Sequence, residues 1–130
     1  MNAETTGYAY DLKRAGQILA HIEELTGINM LDYSHAQPTT EKTLANVTSP
    51  NWVFVAIGFR AHAGNVGFPV LAHNIETDAW VWSRNLVWYE KEHGFVWDGG
   101  NYTSKEKARA KFQNECDGGL LYLIESEYHN

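Results

Sequence analysis

The sequence predicts a single α+β domain over residues 1–130, and three observations carry that reading. Near the N-terminus the apolar residues recur with the 3.6-residue period of an amphipathic helix, and a capping signature near the C-terminus opens a second helix. Between them lie short β-branched and aromatic runs separated by turn signals. The implied order is α-β-β-β-β-α-β. It gives an antiparallel sheet of about four to five strands, with an N-terminal and a C-terminal helix packed on one face of it. At 130 residues such a chain buries roughly two-thirds of its unfolded surface and needs no disulfide or metal to hold one core.

The first helix is expected over 8–26. Tyr8, Leu12, Ala15, Leu19 and Ile22 fall on one side, and Ile18 and Leu25 widen it. Thr5 or Thr6 caps the start, and Gly27 stands where a left-handed residue closes a helix. From 28 to 51 no period holds. Gln37-Pro38-Thr39-Thr40 and Thr48-Ser49-Pro50-Asn51 are turn signals, with room for a short helical turn over 41–46. This connection either carries function or lets Met30, Leu31, Tyr33 and Leu44 plug a sheet edge.

Residues 52–60, nearly all apolar, read as a central strand. Ala63-Gly64-Asn65-Val66-Gly67 turns the chain into a second strand over 69–73, which begins on a proline as an edge permits. Glu76-Thr77-Asp78 leads into a strand over 79–83, and 86–90 either continues it or forms another. His93-Gly94 then turns into 95–97. In Thr103-Ser104-Lys105-Glu106, Thr103 is the expected N-cap and Glu106 the residue that reaches back to it. Ala108, Phe112 and Cys116 give that helix an apolar stripe, Asp117-Gly118-Gly119 stops it, and 120–124 is a buried last strand.

Sixteen acidic against ten basic residues leave a net charge of −6, which argues against direct nucleic-acid binding. Cys116 is the sole cysteine, so no internal disulfide forms, and a cytoplasmic home is expected. No secretory segment is visible at the start, and no apolar run approaches the roughly 20 residues of a membrane helix, so no membrane is expected.

Four of the five tryptophans fall between Trp80 and Trp97. Large aromatics dominate both cores and interface hot spots, so Trp80, Trp82, Trp88 and Trp97 form either the heart of the core or a contact surface. Trp80 and Trp82 share one face if 79–83 is a strand. On the first helix Tyr10, Arg14, Gln17 and His21 line up within about 60° of arc, away from Leu12, Leu19 and Ile22. Arginine and tyrosine anchor interfaces, so these four join the four tryptophans as candidate partner-binding residues.

Patterns for chemistry are weak. His62 and His73 flank one turn, with Glu76 or Asp78 as a third ligand, but a zinc site needs a converging set of three or four. No metal and no cofactor are expected. Cys116 sits on an apolar stripe, no Gly-x-Ser-x-Gly elbow exists, and Glu23-Glu24 reads as a solvated pair, so no catalytic residue is assigned. Of the basic run, Lys107 and Lys111 point to solvent while Lys105 and Arg109 border the Phe112 stripe. The expected function is therefore contact, not turnover: a small acidic cytoplasmic protein that binds a protein partner, including one within a nucleic-acid-binding complex. Its most concrete form is a phage- or mobile-element-encoded inhibitor of a host defence system. A small-molecule or carbohydrate binder using the tryptophans, or a small enzyme with a dispersed site, are the alternatives.

Overall fold

The computed structural model describes residues 10–33, 42–117 and 119–124; Thr5, Thr6, Tyr8, the turn over 37–40 and Gly118 lie outside them. In chain order the elements begin with α1 (Leu12–Thr26), a 3-10 turn (Met30–Tyr33), β1 (Ala45–Asn46), β2 (Ser49–His62), β3 (Asn65–Gly67) and β4 (Val70–Asn74). There follow β5 (Trp80–Ser83), β6 (Asn85–Tyr89), a 3-10 turn (Glu90–Glu92), β7 (Gly94–Asp98), β8 (Asn101–Thr103), α2 (Lys105–Glu115) and β9 (Gly119–Tyr122). The fold class is α+β, as the sequence predicts.

β2 is the spine of a seven-stranded antiparallel sheet, in which the order runs β1-β2-β4-β5-β8. β4 and then β3 flank β2 on one side, and β1 and β9 share its other side. Ala63 and Gly64, with φ of 51° and 84°, supply the positive angles that a two-residue hairpin needs between β2 and β3. β4 pairs on both sides, so the strand that follows Pro69 is internal, not an edge. The proline fits because the ladder uses its carbonyl, which accepts from Gly58 N at 2.8 Å.

Side-chain alternation splits the sheet into two cores. Phe54, Ile57, Val70, Ala72, Val81, Leu121 and Leu123 belong to the first, with Ala15, Ile18 and Ile22 of α1 and Leu86, Trp88 and Phe95 of the β6–β7 hairpin. Val55, Ala56, Leu71, Trp80, Trp82, Leu120 and Tyr122 belong to the second, under Ala108 and Phe112 of α2. A bulge between Phe54 and Ala56 adds one residue, which is why Phe54 and Ile57 share a side.

The helices therefore cover opposite faces, where the sequence led us to expect one. The β6–β7 hairpin is the reason. It leaves the main sheet at exposed Arg84, forms a separate two-stranded sheet, and lies beside α1 on the first face. Ser83 Oγ secures the exit by donating to Asp98 O at 2.7 Å and accepting from Asn85 N at 3.3 Å.

Local corrections follow the same logic. Asp11 is the N-cap of α1, accepting from Arg14 N at 2.8 Å, so the helix starts later than expected. Leu12 is 71% exposed, because Ala15, Ile18, Ile22 and Thr26 define the buried stripe and Leu12 falls off it. Gly27 closes the helix at φ 78°, as expected. Ser104, not Thr103, caps α2; Thr103 is held in β8, which shifts the cap by one residue and leaves Glu106 out of register. Residues 45–46 form β1, not a helical turn. Of the residues expected to plug an edge, Met30 is buried and Leu44 half-buried against the first core, while Leu31 is exposed.

Candidate functional site

An open cleft of about 490 Å³ lies between α1 and the β6–β7 hairpin, lined by Arg14, Gln17, His21, Trp88 and Glu90. The first three sit at positions i, i+3 and i+7 of α1 and so share one side of the helix. That side borders the buried stripe, so His21 meets the hairpin while Gln17 stays exposed at the cleft's rim. β6 supplies Trp88, and the chain immediately after it supplies Glu90.

Trp88 is the floor and is held on several sides. The His21 imidazole stacks on it at 3.6 Å between centroids with 4° between planes, and His93 and Phe95 meet it edge-on at 4.9 and 5.1 Å. Its indole N–H donates to Glu90 Oε2. Arg14 Nη1 donates to Gln17 Oε1 at 2.8 Å, and no carboxylate pairs with Arg14 among the described residues. Arg60 and Arg84, by contrast, both reach Glu115 Oε1, at 2.7 and 3.4 Å. The cleft thus offers guanidinium N–H groups, an amide, an imidazole Nε2 and a rigid indole.

Behind it, one carboxylate ties the helix to the hairpin. Glu24 Oε2 accepts from His93 Nε2 at 2.7 Å, and Oε1 accepts from His21 Nδ1 at 3.2 Å. His93 reaches it because its φ of 50° closes the 3-10 turn in the left-handed region and redirects the side chain. These bonds, that from His93 first and that from His21 next, hold the Glu24 carboxyl below its ordinary value of 4.5. A carboxyl lowered by folding stabilises the protein above its unfolded value, and that contribution is lost as pH falls through the folded value. Below about pH 4.5, wild type should therefore lose stability faster than Glu24→Gln, which has no such proton to take up. Thermal melts of the two proteins between about pH 6 and 3 measure this, and parallel curves would contradict it.

The remaining sequence candidates lie elsewhere. Tyr10 is a correction: it precedes α1, is 3% exposed, and donates from its hydroxyl to Leu86 O at 2.6 Å. Its backbone bridges to Val66, so it is a core residue that fixes the start of the helix to the sheet. Trp80 and Trp82 do share one face, but that face is buried under α2, with Lys105 Nζ 5.4 Å above the Trp80 ring and the Arg84 guanidinium 5.9 Å from that of Trp82. Trp97 is half-buried and packs edge-on with Trp52 and Phe54 at 5.7 and 5.5 Å.

His62 pairs in register with Asn65, while His73 lies opposite Val53, stacks on Trp80 and binds Asp78 Oδ1 at 2.6 Å. The two histidines do not face each other. Among the described residues no group of three or more His, Cys, Asp or Glu side chains is arranged to hold a metal ion. Cys116 sits at the end of α2 against the second core, where burial, with Glu115 and Asp117 beside it, pushes its thiol well up and makes it a poor nucleophile. Sequence reasoning missed Glu24, Glu90 and His93. Glu24 was within reach, since it stands three residues after His21 on a helix. The left-handed turn that delivers His93 leaves no such signature.

Fold and cleft together define a class: an α+β protein with a polar, aromatic-floored cleft between a helix and a hairpin. A comparison of the chain with protein-family models, curated proteins and solved structures finds no match. Among the described residues no helix is long and apolar enough to cross a membrane.

Proposed function

We propose that the protein acts by contact with a protein partner, and that the cleft between α1 and the β6–β7 hairpin is where it makes that contact. The observation that carries this is the meeting of Arg14, Gln17 and His21 with Trp88 on one concave surface. Arginine and tryptophan are the residue types that most often concentrate interface energy. The stacking of His21 on Trp88 holds these two rings in place, so they lose little side-chain freedom on binding. Among the described residues no serine, threonine or cysteine lines the cleft, and its one carboxylate, Glu90, accepts from the Trp88 indole, an arrangement that suits a contact surface. The most concrete form of this reading is a phage- or mobile-element-encoded inhibitor of a host defence system, acting in the cytoplasm. It draws its support from small size, acidic charge and aromatic content.

A photo-crosslinking residue at position 17 tests the site. Leu12, exposed and about 140° round the helix, provides the control position. In a lysate of the source cell, crosslinking from 17 should give one dominant adduct, and from 12 little. Equal labelling from both positions would remove the cleft from the account.

A further inference from the structure

We propose that a second cleft, lined by Ser49, Pro50, Asn51, Trp52 and Asn74, binds the pyranose ring of a neutral oligosaccharide. It is an open recess of about 370 Å³, within the range of small-ligand sites. It goes beyond the contact reading, which concerns the cleft beside α1.

Aromatic surface comes first. Trp52 meets Trp97 and Tyr102 at 5.7 Å each, with planes 81° and 63° apart. No two of these rings cover each other in parallel. Tyr102 is 67% exposed, and Trp52 and Trp97 are half-buried beside it. The C–H face of a sugar carries positive hydrogens that complement the negative face of such rings.

Polar groups come next, and they are aimed in advance. Asn74 Oδ1 accepts from the backbone N–H groups of Glu76 and Thr77 at 2.9 and 3.0 Å. This fixes the amide and leaves its Nδ2 as a donor with no partner among the described residues. Asn51 Nδ2 donates to Glu76 Oε2 at 2.8 Å, which leaves Asn51 Oδ1 as an acceptor. Trp52 and Asn74 are register partners on β2 and β4, so ring and amide are carried by adjacent strands of the sheet. A donor and an acceptor beside a ring suit the adjacent hydroxyls of a sugar. Among the described residues no lysine, arginine or histidine lines the recess, and Glu76 stands next to it, so an anionic ligand is disfavoured.

Titration calorimetry with cellohexaose, maltohexaose, xylohexaose and mannohexaose tests the assignment. At least one should bind with a Kd at or below about 1 mM. Asn74→Asp keeps the acceptor for Glu76 and Thr77 and removes the donor; Tyr102→Ala removes an exposed ring. Each should weaken binding by about tenfold or more with an unchanged melt. Trp52→Ala is less informative because Trp52 also packs on the first core. Arg14→Glu should leave saccharide binding intact, which separates this site from the partner-binding cleft. The assignment is overturned if none of the four sugars binds at about 1 mM, or if Asn74→Asp and Tyr102→Ala both bind as wild type does.

Discussion

Phe112→Ala should destabilise the protein by about 3–5 kcal/mol, the range expected for deleting a buried aromatic ring. α2 is otherwise polar: of its eleven residues, Ala108 and Phe112 are the two that are buried. An isolated helix of this length is marginal in water, so docking holds it. Phe112 is fully buried in the second core with Leu71, Trp80, Trp82 and Tyr122, and Ala108 is too small to replace its contacts. Urea melts measure the loss. Trp80 and Trp82 lie under this helix, so their emission should shift to the red at lower denaturant than in wild type. A midpoint within error of wild type would mean that α2 does not cover this face.

Legibility in the sequence followed periodicity. Residues 52–60 read as a central strand because almost every position is apolar, and both faces of β2 are indeed covered. Phe112 and Ala108 were readable at a spacing of four. The caps were readable by type but not by position: Asp11 caps α1 some residues after the expected Thr5 or Thr6, and Ser104 caps α2 one residue after Thr103, because Tyr10 and Thr103 are paired to strands. The reversal of the chain at Arg84 was not readable. Apolar and aromatic residues stand on both sides of Arg84, and their alternation is the same whether 85–89 extends the sheet or folds over it. From that ambiguity came the error of placing both helices on one face.

The candidate cleft was half legible. Helical spacing brings Arg14, Gln17 and His21 together, and composition singles out Trp88. Their meeting depends on the hairpin lying beside α1, a long-range contact that neither pattern contains. Tyr10 failed because the helical period was extended past Asp11, where the chain is already bridged to β3.

The measurement that bears most directly on the contact account is partner capture by Arg14→Glu, read beside its thermal melt. Position 14 is the third residue of α1, and Asp11 is its N-cap. A glutamate there completes an Asp-x-x-Glu capping box and complements the positive end of the helix, so the fold should be unchanged or slightly firmer. The lost Arg14–Gln17 bond is on the surface and worth little. In the cleft, however, the guanidinium that has no carboxylate partner among the described residues is replaced by a negative charge beside Glu90. Reversing an interface anchor typically costs about 2 kcal/mol or more, roughly a thirtyfold loss of affinity. We therefore expect a protein that melts as wild type does, within about 0.5 kcal/mol, and no longer retains its partner. Retention of the partner at wild-type affinity by a folded Arg14→Glu protein would contradict the account.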